Sequence, residues 1–152
     1  MKPQKSSHML ILVILIFTFI ITISLYFLQD IQSTSTAPLE ISDNYVIRII
    51  DGDTFELATG EKVRLICIDT PERGEEGFQE ATDFLTELIL NKEVRLEKDI
   101  SETDRYGRLL RYIWVNVSNN QEVFVNRELV QEGYAEVYRY GEDVSRCGEI
   151  EG

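Results

Sequence analysis

Three short runs of this chain bring acids, arginines and tight turns together more densely than core packing requires. They are Ile50-Asp51-Gly52-Asp53-Thr54, then Arg64-Leu65-Ile66-Cys67-Ile68-Asp69-Thr70-Pro71-Glu72, then Thr103-Asp104-Arg105-Tyr106-Gly107-Arg108. Carboxylates are ligands for a hard cation, and guanidinium groups bind phosphoryl oxygens in a bidentate fork. The set suits metal-assisted hydrolysis of a phosphodiester. Other chemistries drop out by inventory. The only histidine, His8, precedes a long apolar run, so Ser-His-Asp and Cys-His mechanisms lack their base. One histidine and two cysteines, Cys67 and Cys147, are too few for a zinc site.

Each run also has an ordinary structural reading. Asp51-Gly52 is a favoured hairpin dipeptide, and the residues after it lack the acids and closing glutamate of an EF-hand loop. Pro71 biases Thr70 towards an extended conformation, which leaves the Thr70 carbonyl available as an oxygen ligand. Arg64 lies in an apolar stretch, where a guanidinium must reach solvent or meet a partner. Period-two alternation sets Arg64 and Asp69 on opposite faces of a strand. Both face one site only if the strand bulges or Asp69 lies beyond its end. In the third run Arg108 would face the metal and the scissile phosphate, while Tyr106 offers a ring and hydroxyl to a nucleotide. Tyr138 and Tyr140 would add stacking surface.

The elements that must position these residues are legible from periodicity. Tyr45–Ile50, Thr54–Leu57 and Lys62–Ile68 read as a three-stranded meander with short turns. Phe78, Ala81, Leu85, Leu88 and Ile89 fall on one face of a helix over Gly77–Leu90. Glu93–Lys98 alternates like a half-wet strand, and Arg108–Val117 is a long apolar strand turned by Ser118-Asn119-Asn120. A short helix over Val125–Glu132 is closed by Gly133. Five strands with a helix after the third predict a mainly β, α+β domain, a five-stranded OB-type barrel; a three-plus-two sandwich fits the same pattern.

The 152 residues allow one domain plus an appendage. We read residues 1–8 as a basic cytoplasmic segment, 9–28 as a transmembrane anchor or signal sequence, 29–43 as a linker and 44–152 as the folded domain. The stretch from Met9 to Leu28 carries no charge, and about 20 such residues span a bilayer. Lys2 and Lys5 before it and Asp30 after it place the N-terminus inside and the domain outside the cytoplasm. Cleavage as a signal, giving a secreted protein, is the rival expectation. All 27 acidic residues follow residue 29, against 13 of the 15 basic ones, leaving the exported part at −14. That charge repels nucleic acid unless a cation intervenes. A domain of this size is expected to bury a sufficient core without disulfides. Cys67 reads as a small buried hydrophobe and Cys147 as a free or intermolecular thiol.

Taken together and in order, the three runs resemble the motifs of the thermonuclease (staphylococcal nuclease-like) family, over about Tyr45 to Tyr140. The resemblance implies an OB-fold barrel with added helices and a Ca²⁺-dependent endonuclease acting on DNA and RNA, leaving 3′-phosphate ends. It implies that Asp53 and Asp69 are Ca²⁺ ligands, with Thr70 giving its carbonyl. Glu72 would orient or deprotonate the attacking water, and Arg64 and Arg108 would bind the phosphate and its transition state. Arg105 and Tyr106 match positions that hold the neighbouring phosphate, and Tyr138 and Tyr140 fall near the family's pocket tyrosines. The working unit is expected to be a monomer. The family's long C-terminal helix has no counterpart pattern in Gly141–Gly152. A membrane-tethered module that keeps the fold without catalysis is the alternative reading.

Overall fold

The computed structural model describes residues 5–32, 41–117 and 121–151; the turn expected at 118–120 and most of the linker lie outside them. The chain divides into two units, Met1–Glu40 and Ile41–Gly152. The first is helix α1, Lys5–Gln32. Its segment Met9–Tyr26 has mean hydropathy 2.8 and no buried residue, so it is long and apolar enough to cross a membrane. Thr18 and Thr22 do not interrupt it. Their hydroxyls donate back to the Leu15 and Phe19 carbonyls at 2.9 and 2.8 Å, which satisfies them inside the helix.

The second unit is built on strands β1 Val46–Ile49, β2 Thr54–Leu57, β3 Lys62–Leu65, β4 Ile68–Asp69, β5 Val94–Glu97, β6 Leu109–Asn116, β7 Glu122–Phe124 and β8 Glu136–Val137. The main sheet runs β1-β2-β3-β6-β5, with β7 also on β6. The hairpins β1–β2 and β2–β3 are antiparallel, as their short turns dictate. β3 and β6 pair in parallel, Arg64 beside Leu110, after a crossover through helix α2, Phe78–Ile89, and β5. β1 and β5 meet where they begin, through the Tyr45–Glu93 bridge and backbone bonds that join Val46 to Asn91 and Lys92 and Val94 to Asn44, so this OB-like path stays partly open. A closed five-stranded barrel is therefore not what forms. A six-stranded sheet forms, with β4 and β8 as a separate pair.

Burial follows the periodicities. Val63 and Leu65 point into the core and leave Arg64, between them, on the opposite face. Ala81, Leu85 and Ile89 of α2 are fully buried against the sheet, and Phe55, Tyr112 and Ile113 fill the centre. Helix α3, Val125–Gln131, follows β7 directly.

The predicted continuous strand Lys62–Ile68 breaks at Cys67, whose φ is +64°, a conformation costly for a residue with a Cβ. The break sends β4 out of the main sheet and onto β8. Asn126 bridges the gap in the ladder. Its Oδ1 accepts the Ile113 N–H at 2.9 Å, and its Nδ2 donates to the Ile66 carbonyl at 2.9 Å. Cys67 is also bonded to Cys147, across 80 residues. Cys67 is buried in the core as expected but is disulfide-bonded, and Cys147 is no free thiol. The segment after Gly141 ends in a one-turn helix, α4 Cys147–Ile150, with Cys147 and Ile150 buried.

Candidate functional site

The left-handed turn at Cys67 resolves the geometric conflict between Arg64 and Asp69. It re-aims β4 so that Asp69, at its end, returns to the face on which Arg64 projects. Arg64 Nη2 then meets Asp69 Oδ1 at 2.9 Å, while Nε meets Asp53 Oδ1 at 3.0 Å. Nη1 donates to the Leu65 and Ile68 carbonyls, the latter at 3.0 Å. One guanidinium thus draws together the two carboxylates that the sequence marks.

Asp53 sits in the turn between β1 and β2 and is only 6% exposed. Its backbone N–H donates to Asp51 Oδ1 at 3.2 Å, the local bond that shapes an Asp-Gly-Asp turn. Its Oδ2 accepts the backbone N–H and the hydroxyl of Thr70 at 3.2 and 3.0 Å. Gly52 makes this approach possible. A Cβ there would lie 2.7 Å from Ala81 Cβ and 2.8 Å from Thr70 Oγ1. Burial pushes the Asp53 pKa up to about 6; Arg64 works in the opposite direction, Asp51 adds to the rise, and the Thr54 and Thr70 hydroxyls oppose it.

The third run joins through Thr54. The Thr54 hydroxyl donates to Asp53 Oδ1 at 3.0 Å and accepts from Arg108 Nη1 at 3.3 Å. Arg108 is aimed by Asp104, whose Oδ2 accepts Arg108 Nε at 2.7 Å and whose Oδ1 accepts the Tyr106 and Arg108 N–H groups at 2.8 and 3.0 Å. Burial disfavours the Asp104 charge, but these hydrogen bonds outweigh it and the pKa lies below the usual carboxylate value. Arg105 and Tyr106 are exposed and hold each other, Arg105 Nη2 donating to the Tyr106 hydroxyl at 2.7 Å.

Arg64 and the 103–108 loop line an open cleft of about 540 Å³, with Asp104, Arg105, Tyr106 and Arg108 from the loop and Tyr138 and Tyr140 beyond it. The Tyr138 and Tyr140 rings lie nearly parallel with centroids 6.3 Å apart. Glu72 is the outlier. It is exposed in the turn after β4, where its N–H donates to Glu75 Oε2 at 2.7 Å, and it makes no ion pair among the described residues. No group of three or more His, Cys, Asp or Glu gathers at one point among the described residues. Sequence reasoning missed Thr54 as the link between runs, although it stood inside one. It also missed Asn126 and Asp143, which carry no local signal, and the disulfide.

A small α+β domain whose carboxylates and arginines are hydrogen-bonded into one line beside an open cleft is what the fold and site define. The sequence model of the staphylococcal nuclease homologue family matches residues 62–150. The thermonuclease of Staphylococcus hyicus is 34% identical, over 88% of this chain and 87% of its own length. Protein ParB of Escherichia coli is 35% identical over 62% of this chain and 56% of its own, and the thermonuclease of Staphylococcus intermedius 36% over 64% and 61%. Less than two thirds of those last two relatives is covered. The chain belongs to the staphylococcal nuclease homologue family.

Proposed function

We propose that this chain is a Ca²⁺-dependent nuclease that hydrolyses phosphodiester bonds of DNA and RNA by attack of water at phosphorus, leaving 3′-phosphate ends. The observation that carries the reading is the line Arg108–Thr54–Asp53–Arg64–Asp69, whose two arginines line an open cleft. Kinship with proteins named thermonuclease supports it.

The donor set fits a hard cation. Asp53, Asp69 and the Thr70 carbonyl are all oxygen donors, and one guanidinium, that of Arg64, pairs with both carboxylates. A divalent cation bound there supplies a Lewis acid for a phosphate oxygen. Two such carboxylates leave coordination positions to water and substrate, which is what a reacting site needs. Arg108 meets the equatorial oxygens as charge builds on them, with Arg64 behind it. Glu72 orients the water. Arg105 and Tyr106 hold the neighbouring phosphate, and Tyr138 and Tyr140 offer faces to a base.

The test is digestion of single-stranded DNA by the full chain in Ca²⁺ and in chelator, followed by analysis of the ends. Activity lost in chelator, with 3′-phosphate ends, is expected. Equal digestion in both refutes the metal role, and binding without digestion gives the inactive module. α1 would anchor the chain with the domain outside the cytoplasm. Protease added to intact cells should then remove the domain, and full protection would reverse the topology.

A further inference from the structure

The segment after β8 holds a buried carboxylate for which the proposed reaction has no task. Asp143 is 6% exposed. Its Oδ1 accepts two consecutive backbone N–H groups, of Ile100 at 3.0 Å and Ser101 at 2.8 Å. Residues 99–101 belong to no strand, so these donors have no ladder to join. The same segment is fastened twice more. Asp99 Oδ2 accepts the Ser145 N–H at 2.9 Å and the Tyr112 hydroxyl at 3.1 Å, and the Tyr112 oxygen accepts the Arg146 N–H at 3.1 Å. The Cys67–Cys147 disulfide then pins the segment to the bend that carries Asp69.

What Asp143 fixes is the root of the 103–108 loop. Beyond Ser101, the Glu102 carbonyl accepts the Leu110 N–H and Arg111 Nη1, both at 3.1 Å, and Thr103 bridges Leu109. The loop that presents Arg105, Tyr106 and Arg108 to the cleft thus hangs between the start of β6 and the Asp143 clamp. Resting on the nuclease reading above, we infer that Asp143 is a positioning residue for substrate binding: it sets the root of the 103–108 loop, and the disulfide keeps it in place.

The inference separates binding from rate. Arg108 is held by Asp104 within the loop and by Thr54 outside it, whereas the Arg105 and Tyr106 side chains make no hydrogen bond or ion pair outside the loop among the described residues: Arg105 bonds the Tyr106 hydroxyl, and the Tyr106 ring lies 5.5 Å from the Arg108 guanidinium. Loosening the root therefore weakens substrate capture more than turnover. With the full chain, single-stranded DNA and Ca²⁺, Asp143→Ala should raise KM about tenfold and change kcat less than about twofold. Hydrogen exchange should quicken in residues 99–108 and stay unchanged in 53–57. Asp143→Asn keeps an oxygen able to accept both N–H groups and should restore KM to within about twofold of the parent. Ile150→Ala serves as a control that loosens the same tail without touching those bonds. An unchanged KM in Asp143→Ala, no rescue by Asp143→Asn, or the same KM rise in Ile150→Ala at matched melting temperature overturns the inference. A parent chain that fails to digest DNA refutes the nuclease reading instead, and exchange in 99–108 still decides whether Asp143 holds the loop.

Discussion

The two arginines reach one cleft from regions built on different terms. Arg64 rises from the β3–β4 bend with its side chain 16% exposed, and four of its five N–H groups go to Asp53, Asp69 and two backbone carbonyls. Arg108 rises from the 103–108 loop at 27% exposure, with bonds to Asp104 and Thr54 that leave three N–H groups for a ligand among the described residues. The bend is a fixed electrostatic frame that holds like charges together in advance; the loop carries the spare donors. Preorganised charge belongs where the reaction happens, and adaptable contact where the substrate is caught.

The largest effect comes from cutting the bond between the bend and the tail wall of the cleft. Closing a loop over a separation of 80 residues restricts the unfolded chain by about 4.5 kcal/mol on chain-entropy grounds. Cys147→Ser should lower the denaturant midpoint of the full chain accordingly, and reductant should reproduce the loss in the parent. A midpoint unmoved by either would show that the tail docks without the bond.

Next come the arginines themselves. Removing a donor of this kind typically costs about 3–4 kcal/mol in turnover, a factor of about 10²–10³. Arg108→Ala should show that loss with an unchanged melting temperature. Arg64→Ala should show it together with a clear drop in melting temperature, because it leaves the buried Asp53 carboxylate without its partner. Equal activity losses with no thermal difference would erase the contrast between frame and loop.

That contrast was only half legible in the sequence. The period of Phe78, Ala81, Leu85 and Ile89 marks α2 because side chains four apart share a face whatever lies opposite. The turn residues mark the β1–β2 and β2–β3 hairpins for the same local reason. The three runs were visible as chemistry, but their meeting was not. It depends on a positive φ at Cys67, which no side-chain preference announces, and on the parallel β3–β6 pairing, which joins residues far apart in sequence. Asp143 and Asn126 read as ordinary polar residues because their partners are backbone groups 42 and 60 residues away.

A smaller effect tests whether the frame is a cation site. Ca²⁺ that binds only the folded chain stabilises it by about 2.7 kcal/mol at a hundredfold excess over Kd. Asp53→Asn keeps the shape and removes the charge, so its melting temperature should no longer respond to Ca²⁺. The response to monovalent salt, which screens the excess of acids, should survive. Equal Ca²⁺ responses in parent and variant would mean diffuse neutralisation.

The smallest effect lies at the outer wall. Tyr138 is 50% exposed and its N–H donates to the Cys67 carbonyl at 3.0 Å, so its backbone is tied to the bend; Tyr140 is 73% exposed and lies further along the tail. With parallel rings so close, a base stacks on one outer face at a time. Stacking contributes about 1–3 kcal/mol per base, and a half-exposed ring belongs at the low end. Tyr138→Ala should therefore raise KM about fivefold with kcat unchanged, and Tyr140→Ala about twofold. Tyr138→Phe keeps the ring and should match the parent. If Tyr138→Phe is as weak as Tyr138→Ala, the hydroxyl makes the contact instead of the ring. If Tyr140→Ala has the larger effect, capture depends on the free end of the tail, and anchorage to the bend gives a ring no advantage in binding.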